Sequence, residues 1–157
     1  MYKTPNHLPE ASRAKLIATL NDRLADGLDL HSAIKVAHWN VRGPQFPALH
    51  PLFEQFAVQL ANHNDSIAER AVTLGGLAAG SVRHVAKTSH LADYPVDTTR
   101  DLDHVRLLAD RFEAYLSGVR ESRKLGEELG DTDTVDLLTG VVTEFEKNAW
   151  FLRATLA

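Results

Sequence analysis

The chain has 157 residues, 44% of them hydrophobic, and a formal net charge of −4. That length suits one compact domain with a real core, and the negative balance gives its body no general attraction for nucleic acid. No stretch approaches about 18 consecutive apolar residues, so no membrane span is expected, and Met1 to Glu10 has a single Lys and no apolar run, so no secretory leader is expected.

Taken in order, the first helix is predicted from about Ser12 to Trp39, with Leu16, Leu20, Leu24, Leu28, Ile34 and His38 roughly on one face. Residues 1–11 precede it as a short tail. Gly43-Pro44 and Pro47 break the pattern. A second helix is predicted from about Leu49 to Leu74, through Leu52, Phe53, Phe56, Leu60, Ile67 and Ala71, and Gly75-Gly76 ends it. The pattern then weakens from Ala78 to Val96, where Ser81 to Ser89 has room for one short helix and Tyr94-Pro95 reads as a turn. The third long helix starts near Thr98 or Thr99, with Val105, Leu108, Ala109, Phe112, Leu116 and Val119 at helical spacing. The fourth runs from about Thr134 to Leu156, with Thr132 or Thr134 as its cap after Gly130. No run alternates as a strand does. The sum is an all-α chain in one domain spanning 1–157, a four-helix bundle whose long crossover between helices two and three holds a short helix.

Between His38 and Glu69 stand five candidate metal ligands: His38, His50, Glu54, Asp65 and Glu69. His50 and Glu54 are four apart, as are Asp65 and Glu69, so each pair shares a helix face. The pairs start fifteen residues apart, roughly 22 Å along a continuous helix. Metal–ligand bonds are only about 2.0–2.6 Å long, so one subunit cannot bring both pairs to one ion. Two antiparallel copies about a two-fold axis would. The chain contains no Glu-x-x-His, the pair that builds a common metal site inside one bundle. Two imidazoles with three carboxylates suit iron, and zinc is the alternative for the same ligands.

Lys35-x-x-His38-Trp39-Asn40-x-x-Gly43-Pro44-x-Phe46-x-x-x-His50, followed by Asp65-x-x-Ala68-Glu69-Arg70 and Leu74-Gly75-Gly76, closely resembles the Dps family, the DNA-protecting mini-ferritins of starved bacteria. Tyr94-Pro95-x-Asp97, Asp133-Thr134-x-Asp136 and Trp150-Phe151 extend the resemblance over nearly the whole chain. It implies a ferritin-like fold and a cytoplasmic, nucleoid-associated shell of twelve subunits. It also implies ferroxidase centres at two-fold interfaces, each holding two irons on His38, His50 and Glu54 of one chain and Asp65 and Glu69 of its neighbour. The carboxylate four residues after the second histidine is often aspartate in that family; here it is Glu54, one methylene longer. The implied reaction is oxidation of ferrous iron, preferably by hydrogen peroxide, with storage of the ferric mineral. Trp39, beside His38, has the implied role of quenching stray oxidising equivalents. Asp131, Asp133 and Asp136 are candidates for an acidic iron-entry pore, with helix capping as the competing account.

Absence of cysteine removes any disulfide, which fits the cytoplasm, and with Met1 the only methionine there is little sulfur for peroxide to attack. His31 shares a face with His38 but lies outside the motif and is expected to pack; His63, His84, His90 and His104 are expected at the surface or at interfaces. Family members that bind DNA often use a lysine-rich tail, whereas the tail here carries only Lys3. Phosphate binding needs several basic contacts, so direct DNA binding is poorly supported. The rival to the ferroxidase is a DNA-compacting or structural shell whose metal site mainly stabilises the dimer.

Overall fold

The computed structural model describes residues 1–157. Five helices carry the fold: α1 (Glu10–Asn40), α2 (Phe46–Thr73), α3 (Val82–Thr88), α4 (Asp101–Glu128) and α5 (Thr132–Leu156). The tight connection between α1 and α2 makes them an antiparallel pair, and so does that between α4 and α5. The pairs pack through α1 on α4 and α2 on α5, with α3 lying against α1.

The apolar stripes converge as their spacing requires. Leu16, Leu20 and Ile34 of α1, Phe53, Phe56 and Leu60 of α2, Phe112 and Leu116 of α4, and Phe145 and Leu152 of α5 are wholly excluded from solvent. At the centre Phe112 meets Phe56 at 5.4 Å and Phe145 at 5.2 Å between ring centroids, in edge-on and tilted geometry that suits aromatic quadrupoles. Each such side chain contributes about 1.5–3 kcal/mol by leaving water.

The helix ends differ from the expected ones for local reasons. Pro47 does not break the chain before α2. It sits in the helix's first turn, where a missing N–H costs nothing. The last helix is capped by Asp131, whose carboxylate accepts from the Thr134 amide; neither threonine is the cap. At the α1–α2 corner, Gly43 has φ +135°, and a Cβ there would meet the Asp101 carboxylate at 2.4 Å. That carboxylate accepts the Gln45 amide at 2.9 Å, which holds its pKa below the usual range. With Arg42 bonded to Thr99 and Asp101 through the backbone, this clip ties the corner to the start of α4 and begins that helix at Asp101.

Two further expectations are corrected. His104 is fully buried, not superficial; its Nδ1 lies 2.6 Å from the Tyr94 hydroxyl, a bond that fastens the crossover to α4. The segment before α1, residues 1–9, lies along the end of α2. The Tyr2 amide donates to Gly75 O at 2.8 Å, the Tyr2 hydroxyl to Val72 O, and Thr4 to Thr73 O at 3.2 Å, while Leu8 is buried. Of the remaining histidines, His84 and His90 are exposed and His63 is partly so.

Candidate metal centre

His38 lies in the last turn of α1, and His50 and Glu54 in the first turns of α2, so the corner itself brings them together. The two imidazoles stack with centroids 3.8 Å apart. Nδ1 of His38 donates to the carbonyl of His50 at 2.8 Å, and Nδ1 of His50 to the carbonyl of His38 at 2.9 Å. A carbonyl only accepts, so each Nδ1 carries the proton. In the neutral ring the lone pair is then on Nε2, the arrangement that orients a histidine toward a metal. His38 Nε2 lies 3.4 Å from Glu54 Oε2.

Lys35, one turn before His38, hydrogen-bonds Glu54. That bond is the largest influence holding the Glu54 carboxyl below its ordinary pKa. Lys35 stands in the motif three residues before His38, and that spacing is the sequence signal that places it beside the histidines. The ammonium also lies 5.7 Å from the Trp39 ring, and Trp39 is 68% exposed. The indole therefore faces outward beside the histidines.

Asp65 and Glu69 stand apart. Both are exposed, three turns and more beyond Glu54 on the unbroken α2. Within one subunit no three His, Asp or Glu side chains gather so as to hold a metal. The five residues thus fall into two groups, an imidazole-rich one at the α1–α2 corner and a carboxylate one farther along α2.

The three pore candidates separate. Asp131 is 2% exposed, accepts from Thr134 and pairs with Arg70 at 2.6 Å, so its carboxylate is committed to capping. Although burial opposes ionisation, the Arg70 and Thr134 bonds prevail and its pKa is lowered. Asp133 and Asp136 remain exposed. His31 is only partly buried and opens into a cavity of about 510 Å³ between α1, α2 and the start of the crossover, rather than being enclosed by packing. Burial and then Lys35 lower its pKa, against Glu54, so the ring is neutral at pH 7.

A family profile described as a ferritin-like domain matches residues 17–157. The "DNA protection during starvation protein" of Agrobacterium fabrum is 41% identical over 98% of this chain and 94% of its own. Among solved structures, the Dps protein of Vibrio cholerae, described as a member of a broad superfamily of ferritin-like diiron-carboxylate proteins, superposes with a TM-score of 0.93 at 28% identity, covering 100% and 99% of the two chains. DpsC of Streptomyces coelicolor gives 0.94 at 33% identity, covering 99% and 91%.

Proposed function

The chain belongs to the Dps family of ferritin-like proteins, and from that premise we propose that it oxidises ferrous iron at centres assembled between subunits and stores the ferric product in a hollow shell. The observation that carries this reading is the division of its ligands: an organised His38–His50–Glu54 cluster at the α1–α2 corner and a bare Asp65–Glu69 pair farther along α2. Antiparallel association of two α2 helices sets each cluster against the neighbour's carboxylates and completes two equivalent centres. Twelve subunits form the shell.

In each centre Asp65 and Glu69 hold the first ferrous ion, the Nε2 atoms of His38 and His50 complete the set, and Glu54 serves the second ion. Two ferrous ions give two electrons to one hydrogen peroxide, which takes up two protons and leaves as two waters. Pairing the irons avoids the one-electron step that releases hydroxyl radical. DNA is protected because both reactants are consumed. Asp133 and Asp136 line the acidic entrance, where clustered carboxylates concentrate cations, and Trp39 intercepts stray oxidising equivalents. The protein works in the cytoplasm, near the nucleoid. No helix is long and apolar enough to cross a membrane.

Direct DNA binding is disfavoured by the docked tail, whose one lysine offers few phosphate contacts. The deciding experiment adds substoichiometric peroxide to anaerobic, metal-free protein loaded with ferrous iron. The expected result is rapid oxidation of about two irons per peroxide with little hydroxyl radical. Oxidation no faster than buffer, with the oligomer intact, would leave a structural or DNA-associated shell as the better reading.

A further inference from the structure

Resting on the oxidation reading above, we propose that Tyr94 and His104 form a proton-coupled electron donor, the place where a one-electron oxidising equivalent escaping the iron centre comes to rest. A phenol that loses an electron becomes a strong acid, so it gives one up readily only when a base stands within hydrogen-bond reach. The chain has three tyrosines, and their hydroxyls are placed differently. The Tyr2 hydroxyl donates to the Val72 carbonyl, which cannot take its proton. The Tyr115 hydroxyl is buried with no partner. Only the Tyr94 hydroxyl meets a nitrogen base, His104 Nδ1, at 2.6 Å. It has no other acceptor, so the phenol donates and Nδ1 accepts. Burial raises the Tyr94 pKa against the opposing Arg111, so the phenol is intact at pH 7. Burial lowers the His104 pKa against the Thr98 backbone and Asp103, so the ring is neutral and free to accept.

The surroundings select a neutral radical. Arg111 holds its guanidinium 4.9 Å from the Tyr94 ring centroid, where a ring cation is repelled, so the electron leaves only as the proton crosses to Nδ1. His104 is fully buried, which keeps that proton beside the oxygen it must rejoin. No core sulfur competes, because cysteine is absent and Met1 is the only methionine. The pair also connects to the metal corner. The His104 amide donates to the Arg100 carbonyl at 3.1 Å, and the adjoining Asp101 carboxylate accepts the Gln45 amide at 2.9 Å. From there Phe46 lies 5.0 Å from the His50 ring. One turn of α4 and the first residues of α2 make this path on the order of 20 Å. The steps balance. A hydroxyl radical, released when one ferrous ion meets peroxide alone, takes an electron from Trp39 and leaves as hydroxide. The indole radical takes an electron from Tyr94, whose phenolic proton moves to His104 Nδ1. A second ferrous ion then reduces the phenoxyl, and the proton returns from His104. Every side chain is restored, and the count is again two ferrous ions per peroxide.

The test is freeze-quench electron paramagnetic resonance on the assembled protein, loaded with one ferrous ion per centre and mixed with excess peroxide. The wild type should give a tyrosyl signal with the high-field shift of a hydrogen-bonded phenoxyl, and the signal should form more slowly in deuterium oxide. Tyr94→Phe should abolish the tyrosyl signal and leave an indole signal alone. His104→Gln keeps a hydrogen-bonding group but no base. It should lose the deuterium effect and form the radical about 100-fold more slowly, the low end of what a positioned base contributes. Light scattering checks the oligomer of each variant. A tyrosyl signal that survives Tyr94→Phe, a wild type with an indole radical alone, or a His104→Gln rate equal to the wild type's would overturn the pair while leaving the oxidation centre standing. Iron oxidation in the fully loaded wild type no faster than buffer would overturn the parent reading and this one with it.

Discussion

The two groups of candidate ligands, one at the α1–α2 corner and one farther along α2, are built in opposite ways. At the N-terminal end, His38 and His50 fix each other through reciprocal bonds to backbone carbonyls, and Lys35 holds Glu54 beside them. Three turns on, Asp65 and Glu69 are held only by the helix beneath them. The first half is organised before any partner arrives, so little order is lost when it takes up a cation. The second is a pair of charges waiting for an opposite surface. The α1–α2 corner thus offers geometry and the far part of α2 offers charge, and on the proposed reading antiparallel pairing supplies each with what it lacks.

That contrast can be broken most severely at the charge end. Replacing both Asp65 and Glu69 by Ala should slow peroxide-driven iron oxidation by at least about 100-fold, since even the outer partners of metal ligands are worth 10–100-fold. Stopped-flow absorbance of the ferric product reads this, with the oligomer checked by light scattering. A loss under about threefold would mean that these carboxylates do not hold iron. At the organised end, His50→Ala removes a ligand, its stack on the His38 ring and its Nδ1 bond to the His38 carbonyl, while the His50 carbonyl that accepts from His38 remains. It should cost more than a change to an isolated histidine, roughly 30-fold or greater on the same 10–100-fold scale. Additivity with His38→Ala would contradict the mutual bracing; a double variant no worse than either single one supports it.

A finer test concerns Lys35. Because its bond lowers the Glu54 pKa, the carboxylate stays ionised to lower pH than a free glutamate, and whatever stability the pair adds is present above about pH 4.3 and lost as pH falls through the depressed value. In Lys35→Met the Glu54 resonance should titrate at higher pH when followed by carbon NMR; an unmoved midpoint would deny the bond in solution. The smallest effect belongs to the tail, which braces α2 one turn beyond Glu69 through Val72, Thr73 and Gly75. Removing residues 2–8 should lower the melting temperature by about 2–4 °C, the response of a chain this size to about 1 kcal/mol. Calorimetry with no change would show the tail to be detached.

The sequence discloses what depends on spacing. The five helices, the short α3 in the crossover and the separation of the two ligand pairs all follow from periodicity and breakers. What it hides depends on encounters between distant residues. Asp131 looks like any acidic residue near a helix start until Arg70, sixty-one positions earlier, is seen beside it. Nothing within residues 1–9 announces that Gly75 will accept the Tyr2 amide. His104 is more legible: it stands four before Leu108, on the stripe that α4 buries, so its position says more about burial than its polarity does. His31 is the reverse, a residue on the correct face whose surroundings only the folded cavity defines.

On the proposed reading, dividing the ligands between the α1–α2 corner and the far part of α2 also has a temporal meaning. A newly synthesised subunit possesses every residue needed for iron chemistry and yet lacks a complete centre. On the proposed reading, activity below the dimerisation threshold rises with the square of subunit concentration. Oxidation therefore begins only once assembly has started, so the appearance of ferric product and the building of its container are synchronised without any separate regulator.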